Sequence, residues 1–343
     1  MPRRASLVCA VATVFALAAV SSVRGLDWQQ TNGPDAGEGQ TVFVAASGTL
    51  LASVADTAVY RSVDGGDTWT PAAGVGPAIG HYASANGYLY AAHRGEGVYR
   101  SDDDGATWAL LPNGPPKGIG SLAVSGTTVY AGSAYAGPTG TATAYRSGDD
   151  GVSWTEGSAG LPQDETYVIA MATLGASVYA AVAPGADADV CRSDDGGANW
   201  VRKTVNAATR LPAANGLVAI GSSLYFSKND HGQSFDILRT DDGGDTWASV
   251  ATGLPTTGST APSPVVELGG SLFVGIHQNG IYRSSDSGAS WTKKSDGFFN
   301  LRVNAFAASA TTVYASSVAG LHRSDDNGES WARAMGGIHK AQV

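Results

Sequence analysis

The chain has 343 residues, a formal net charge of −9, 15% charged and 43% hydrophobic residues. An acidic balance with no basic stretch excludes nucleic acid as a natural partner, and the length supports one large domain with a substantial core. Of two cysteines, Cys9 and Cys191, only Cys191 lies beyond the first 25 residues, which excludes an internal disulfide in the exported chain.

Residues 1–25 come first, with a basic head (Arg3, Arg4), an apolar run from Leu7 to Val20, and small or polar residues before Leu26. This reads as a secretory signal peptide cut after Gly25, too short for a membrane span. Arg3-Arg4 leaves a twin-arginine route as a minor alternative, and Cys9 lies too early for a lipoprotein cysteine. The expectation is a secreted or periplasmic protein whose residues 26–343 form a single domain.

Beyond the leader the chain repeats. Tyr60 to Trp69 reads YRSVDGGDTW, and copies end at Trp69, Trp108, Trp154, Trp200, Trp247, Trp291 and Trp331, spaced by 39, 46, 46, 47, 44 and 40 residues. Seven units of this length are supersecondary units. Asp64 can fold its carboxylate onto turn N–H groups, Ser62 adds a hydroxyl bond, and Gly66 supplies a positive φ. Trp69 opens the next strand and offers apolar surface to a neighbouring unit.

Each unit reads as four short strands, as in SLAV, TTVYAG, AYRS and SWTE between residues 121 and 156, with no helical periodicity. Such sheets are apolar on both faces, so packing them radially is what buries them. The expected fold is all-β: a seven-bladed β-propeller with four antiparallel strands per blade and the repeated turn between strands three and four. Asp27-Trp28 reads as an outer strand that pairs with the last blade, either outside it or in place of residues 332–343.

At these turns the chain resembles the Asp-box (BNR repeat) family of β-propellers. Ser101, Asp103, Gly105, Thr107 and Trp108 fit the box fully, as do Ser147–Trp154, Thr240–Trp247, Ser284–Trp291 and Ser324–Trp331. The fourth copy departs only at Asn199. The resemblance assigns Asp64, Asp103, Asp149, Asp195, Asp242, Asp286 and Asp326 as structural box aspartates. It includes sialidases, xyloglucan-cleaving glycosidases, sorting receptors and a photosystem assembly factor, so it implies the fold more firmly than an activity.

Function is sought where the repeat breaks. From the aromatic position of the second strand to the Arg of YRS there are 10 residues in blades one, two and six and 9 in blade seven, but 16, 13 and 14 in blades three, four and five. These loops emerge on the face opposite the boxes, where propellers hold ligands. Candidate ligand-binding residues there are His93, Arg94, Tyr135, Lys228, Asp230, His231, His277 and Phe298. Glu96, Asp164, Glu165, Asp187, Asp189, Arg210, Phe299 and Arg302 complete a mixed charged and aromatic set that suits a sugar or a polar peptide.

No cofactor or metal is expected. Asp-rich runs such as Asp102-Asp103-Asp104 lack the alternating oxygens and distal acid of a calcium loop, and the six His form no pair at metal spacing. The seven Arg of YRS recur with the fold, which favours a repeated inter-blade contact over an anion site. His322 takes the repeated Tyr position, and Cys191 another, so both read as packing residues.

The favoured reading is a monomeric exported module that binds a glycan or a protein. A sialidase-like glycoside hydrolase is the first alternative, with Arg94, Glu96, Tyr167, Arg210, Asp230 and Arg302 as catalytic candidates. Against it, residues 26–60 hold no Arg, and only Thr209-Arg210-Leu211-Pro212 resembles the family's arginine signature. An assembly-factor or receptor-like scaffold is the second alternative.

Overall fold

The computed structural model describes residues 39–54, 58–115, 118–134, 141–162, 167–183, 189–203, 213–229, 234–255, 262–298, 302–317 and 320–334. They belong to the compact unit Asn32–Val343, whereas Met1–Thr31, with the expected leader and the expected Asp27-Trp28 strand, lies outside the described residues. The fold is a seven-bladed β-propeller: seven four-stranded antiparallel sheets, each built from strands consecutive in sequence.

In blade one the strands run Gly39–Val44, Leu50–Val54, Ala58–Ser62 and Thr70–Pro71 from the innermost outwards. The second strand is buried at every residue, because a neighbouring blade covers each of its faces. Apolar side chains form seven clusters among the described residues, one for each pair of adjacent blades. The pair formed by blades seven and one is included, where Tyr314 and Leu321 meet Leu50 and Trp69. Each buried Leu or Trp of this kind contributes about 2–3 kcal/mol of hydrophobic stabilisation.

The repeated turn follows the third strand. Ser62 Oγ donates to Asp64 Oδ1 at 2.7 Å and accepts from Gly66 N at 2.9 Å, while Thr68 N donates to Asp64 Oδ1 at 2.9 Å. In the fourth copy the Asn199 side-chain amide donates to Asp195 Oδ2 at 2.7 Å, so the departure from Ser or Thr preserves the bond. The residue after each of these aspartates has positive φ: Gly65, Asp104, Asp150, Gly196, Gly243, Ser287 and Asn327, between 56° and 73°. Four of them are not glycine, and something must hold them there.

That conformation turns the carbonyl of each residue towards the preceding blade, whose YRS arginine donates to it. The bonds are Arg61 to Asp104 at 2.7 Å, Arg100 to Asp150 at 2.8 Å and Arg146 to Gly196 at 3.0 Å. Arg192 reaches Gly243 at 3.4 Å, Arg239 reaches Ser287 at 3.2 Å, Arg283 reaches Asn327 at 2.6 Å, and Arg323 reaches back to Gly65 at 3.2 Å. The recurring arginines are therefore inter-blade contacts all round the ring.

Blade seven has four strands among the described residues, like the others. Its outermost strand among the described residues is Ala332–Arg333, from its own repeat. Trp69 Nε1 also donates to Ala334 O at 3.2 Å across this seam.

Candidate functional site

Because neighbouring strands are antiparallel, each second-to-third loop leaves a blade at the rim opposite the box turns, and so does each connection to the next blade. The enlarged loops of blades three, four and five rise from that rim between Ser133 and Ala144, Ala183 and Asp189, and Asn229 and Phe235. Tyr135, Asp164, Glu165, Asp187, Arg210, Asp230, His231 and Phe299 lie outside the described residues.

The innermost strands share a feature at the same rim. In six blades the register skips one residue near the strand start, at Gln40, Gly80, Gly120, Ile169, Asn215 and Asn304. A bulge of this kind bends the strand and re-aims its side chains. In blade six the innermost strand shrinks to Val266–Leu268, and Pro262 and Pro264 flank Ser263, whose N donates to Gly275 O at 2.8 Å. Proline lacks the donor that a full ladder needs.

Blade two carries the best-formed group of polar side chains at this rim. The bulge at Gly80 lies so close to the next blade that a Cβ there would sit 2.9 Å from Gly120 O and 3.2 Å from Arg94 Nε. The missing side chain at Gly80 thus leaves room for the Arg94 guanidinium. Arg94 N donates to Ala78 O at 3.0 Å, fixing the backbone, yet among the described residues the exposed guanidinium has no acid or hydrogen-bond partner. Beside it, Tyr99 OH donates to Glu96, and the His93 ring, tilted against Tyr99 at 5.8 Å, accepts from Gly95 N through Nδ1 at 3.1 Å. Burial, with the Glu96 carboxylate adding, pushes the Tyr99 phenol up to about 12.

The remaining candidates are dispersed or committed elsewhere. Lys228 is buried inside blade five, in register with Asp236 and 5.7 Å over the Phe226 ring, so its charge sits within the sheet. Burial raises the Asp236 carboxyl, against a hydrogen bond from Ser249 and the Lys228 charge. Asp189 is buried and bound by Arg202 through Nε at 2.6 Å. Phe298 is buried between His322 and Trp331, at 4.6 and 6.0 Å, and is part of the core between blades six and seven. His277 is half-buried, Tyr167 begins the innermost strand of blade four, and Arg302 is exposed just before that of blade seven. In the sequence Tyr99 is one more repeat tyrosine and does not stand out. Its signal was Glu96 three residues earlier.

The fold matches known proteins. The sequence profile of the DUF6242 beta propeller domain covers residues 26–189 and 196–341. The chain belongs to that family. No curated protein matches the DUF6242 propeller described here. Among solved structures it is similar to an ancestral GH74 enzyme, with TM-score 0.68 and 17% identity over 89% of this chain and 47% of the other. It is similar too to the GH74 xyloglucanase from Xanthomonas campestris, with TM-score 0.67 and 16% identity over 89% and 55%. It thus spans about half the length of these GH74 chains. A third structure, YCF48 bound to D1 peptide, has TM-score 0.61 and 14% identity over 85% of this chain and 93% of that one. At these identities the likeness is one of fold.

Proposed function

We propose that this DUF6242 propeller is an exported binding module that takes a glycan or a polypeptide on the rim opposite its box turns, with Arg94 as the anchor for a carboxylate on the ligand. The observation that carries this reading is the exposed Arg94 guanidinium, free of acids among the described residues and laid against Gly80. A planar fork held in this way is suited to bidentate recognition of a carboxylate. The Asp-box resemblance supports a propeller whose repeated turns serve the scaffold and whose opposite rim serves the ligand. The match to a peptide-bound YCF48 along 93% of that chain supports a single propeller sufficient for binding.

The GH74 likeness supports a glycoside hydrolase as the second reading, and the Glu96–Tyr99 pair is the arrangement that favours it. Binding is preferred on physical grounds. A buried phenol pushed up to about 12 is poorly placed to act as a nucleophile, which needs the opposite shift. The test is a glycan array and an acidic-peptide library probed with the exported chain and with Arg94→Ala. A ligand held by the wild type and lost by Arg94→Ala, at unchanged melting temperature, supports the proposal; equal binding by both overturns it. Release of product from a xyloglucan or sialoside would establish the second reading.

A further inference from the structure

The seven inter-blade arginines are equivalent by position, so each seam is a control for the others. Their carbonyl partner is the same everywhere, but their counter-charge is not. Three positions can bring an acid to the guanidinium: two residues after the arginine itself, and one or three residues after the box aspartate of the next blade.

In the seam between blades four and five, Arg192 meets Asp194 at 2.7 Å from the first position. In the next seam Arg239 meets Asp241 at 2.8 Å from the same position. Arg283 meets Glu329 at 2.9 Å from the third position, and Arg323 meets Asp67 at 2.6 Å and Asp325 at 3.3 Å. Arg61 has Asp104 at 3.6 Å from the second position. Arg100 has no ion pair among the described residues either, but acids stand at two of its three positions, Asp102 and Asp150; it bonds the Asp150 carbonyl and stacks on Tyr88 at 4.4 Å, while the Asp150 carboxylate accepts from Asn86 at 2.7 Å.

The seam between blades three and four has none of these. The three positions are Gly148, Gly196 and Ala198, and Arg146 has no ion pair among the described residues. Where those acids are missing a pocket of about 240 Å³ opens, lined by Arg146, Thr128, Tyr130, Ser153 and Thr155 with Gly148 and Gly196 at its edge. Tyr130, Arg146 and Thr155 face one another in register across three strands. Elsewhere the residue equivalent to Thr128 donates to the acid that is absent here: Ser223 to Asp241, and Thr312 to Asp325 at 2.7 Å. The nearby carboxylates of Asp149 and Asp195 have counterparts in every seam and are bound by their own turns, Asp149 by Ser147 and Ser153, Asp195 by Ser193 and Asn199.

We infer that this pocket is an oxyanion site, in which a phosphate, sulfate or carboxylate group takes the place that an internal acid holds in the other seams. Arg146 supplies the charge and N–H donors, and the Thr128, Tyr130 and Thr155 hydroxyls supply further donors. The site lies on the box rim and is independent of Arg94.

The sequence supplies its own plug. Gly148 has no positive φ, and a Cβ there meets nothing within 4 Å, so Gly148→Asp installs the acid that blades two, four, five and seven carry and that pairs with the arginine in the last three. The experiment titrates the full chain calorimetrically, at constant ionic strength, with inorganic phosphate and separately with glucose 6-phosphate. Gly148→Asp and Ala198→Asp are measured alongside, both leaving Arg146 in place. Saturable binding by the wild type, weakened about tenfold or more in either variant, is expected, since one charge-assisted bond is replaced by an internal one. Equal affinity for the two probes assigns recognition to the oxyanion alone; tighter binding of the sugar phosphate assigns part of it to the carrier. No saturable binding of either probe, or undiminished binding by both variants, overturns the inference.

Discussion

Arg323 and Gly65 are separated by 258 residues, yet the arginine Nη1 donates to the Gly65 carbonyl at 3.2 Å, as each of the other six arginines does to its neighbour. The ring is therefore closed by the same bond that joins its interior seams. Arg323→Ala and Arg239→Ala should each lower stability by about 1–2 kcal/mol, as partly exposed charge-assisted bonds do. Urea midpoints compare them directly. A much larger loss in Arg323→Ala alone would show that the closing seam is held differently.

The box aspartates predict the acid limit. Hydrogen bonds from Thr68, through its side chain and then its backbone, hold the Asp64 carboxyl down to about 2, and equivalent bonds from Ser153, Ser290 and Ser330 hold Asp149, Asp286 and Asp326 at about 2. Asp195 and Asp242 are lowered further, by Asn199 and Thr246. Groups depressed in the folded state stabilise it fully above the unfolded value near 3.9, and that contribution is lost as pH falls through the folded values. Stability should drop steeply between about pH 4 and pH 2. Replacing Asp64 and Asp286 with Asn should flatten that drop, read from melting temperature against pH.

His322 sets a second, milder pH dependence. It is fully buried, neither ring nitrogen has a hydrogen-bond partner among the described residues, and burial, with the Arg333 charge adding, pushes it down to about 4. The native ring stays neutral while the unfolded one takes a proton below about 6.5, so stability declines as pH falls from about 6.5 to 4, by up to about 3 kcal/mol. His322→Leu, which copies Leu238 at the equivalent position of blade five, should abolish this slope. Parallel pH profiles of the two proteins would count against the assignment.

Two glycines with similar backbone conformations should respond differently to substitution. Gly48 has φ of 89° with open space around it, whereas Gly253 has φ of 90° and a Cβ there would lie 2.4 Å from Trp291 O in the next blade. Gly48→Ala should lose about 1 kcal/mol from backbone strain alone. Gly253→Ala must also push two blades apart, and its denaturant midpoint should fall well below that of Gly48→Ala.

The fold was legible because the positions that make the scaffold are the ones that recur: Ser, Asp, Gly and Trp serve bonds that every blade repeats. The rim opposite was less so. Phe298 and Lys228 read as displayed groups, but nothing local shows that one fills a seam and the other lies inside a sheet. The room for Arg94 depends on Gly80, which meets Gly120 from the next blade, a contact between residues forty positions apart. Arg146 looked like its six counterparts until the seams were compared, although Gly148 and Ala198 mark the difference in the sequence itself.

All seven arginine bonds point the same way, each blade reaching for the next. The wheel consequently has a sense of rotation but, among its described parts, no privileged first spoke. A gene permuted to start at blade four and joined through a linker between blades seven and one would give up no strand pairing among the described residues.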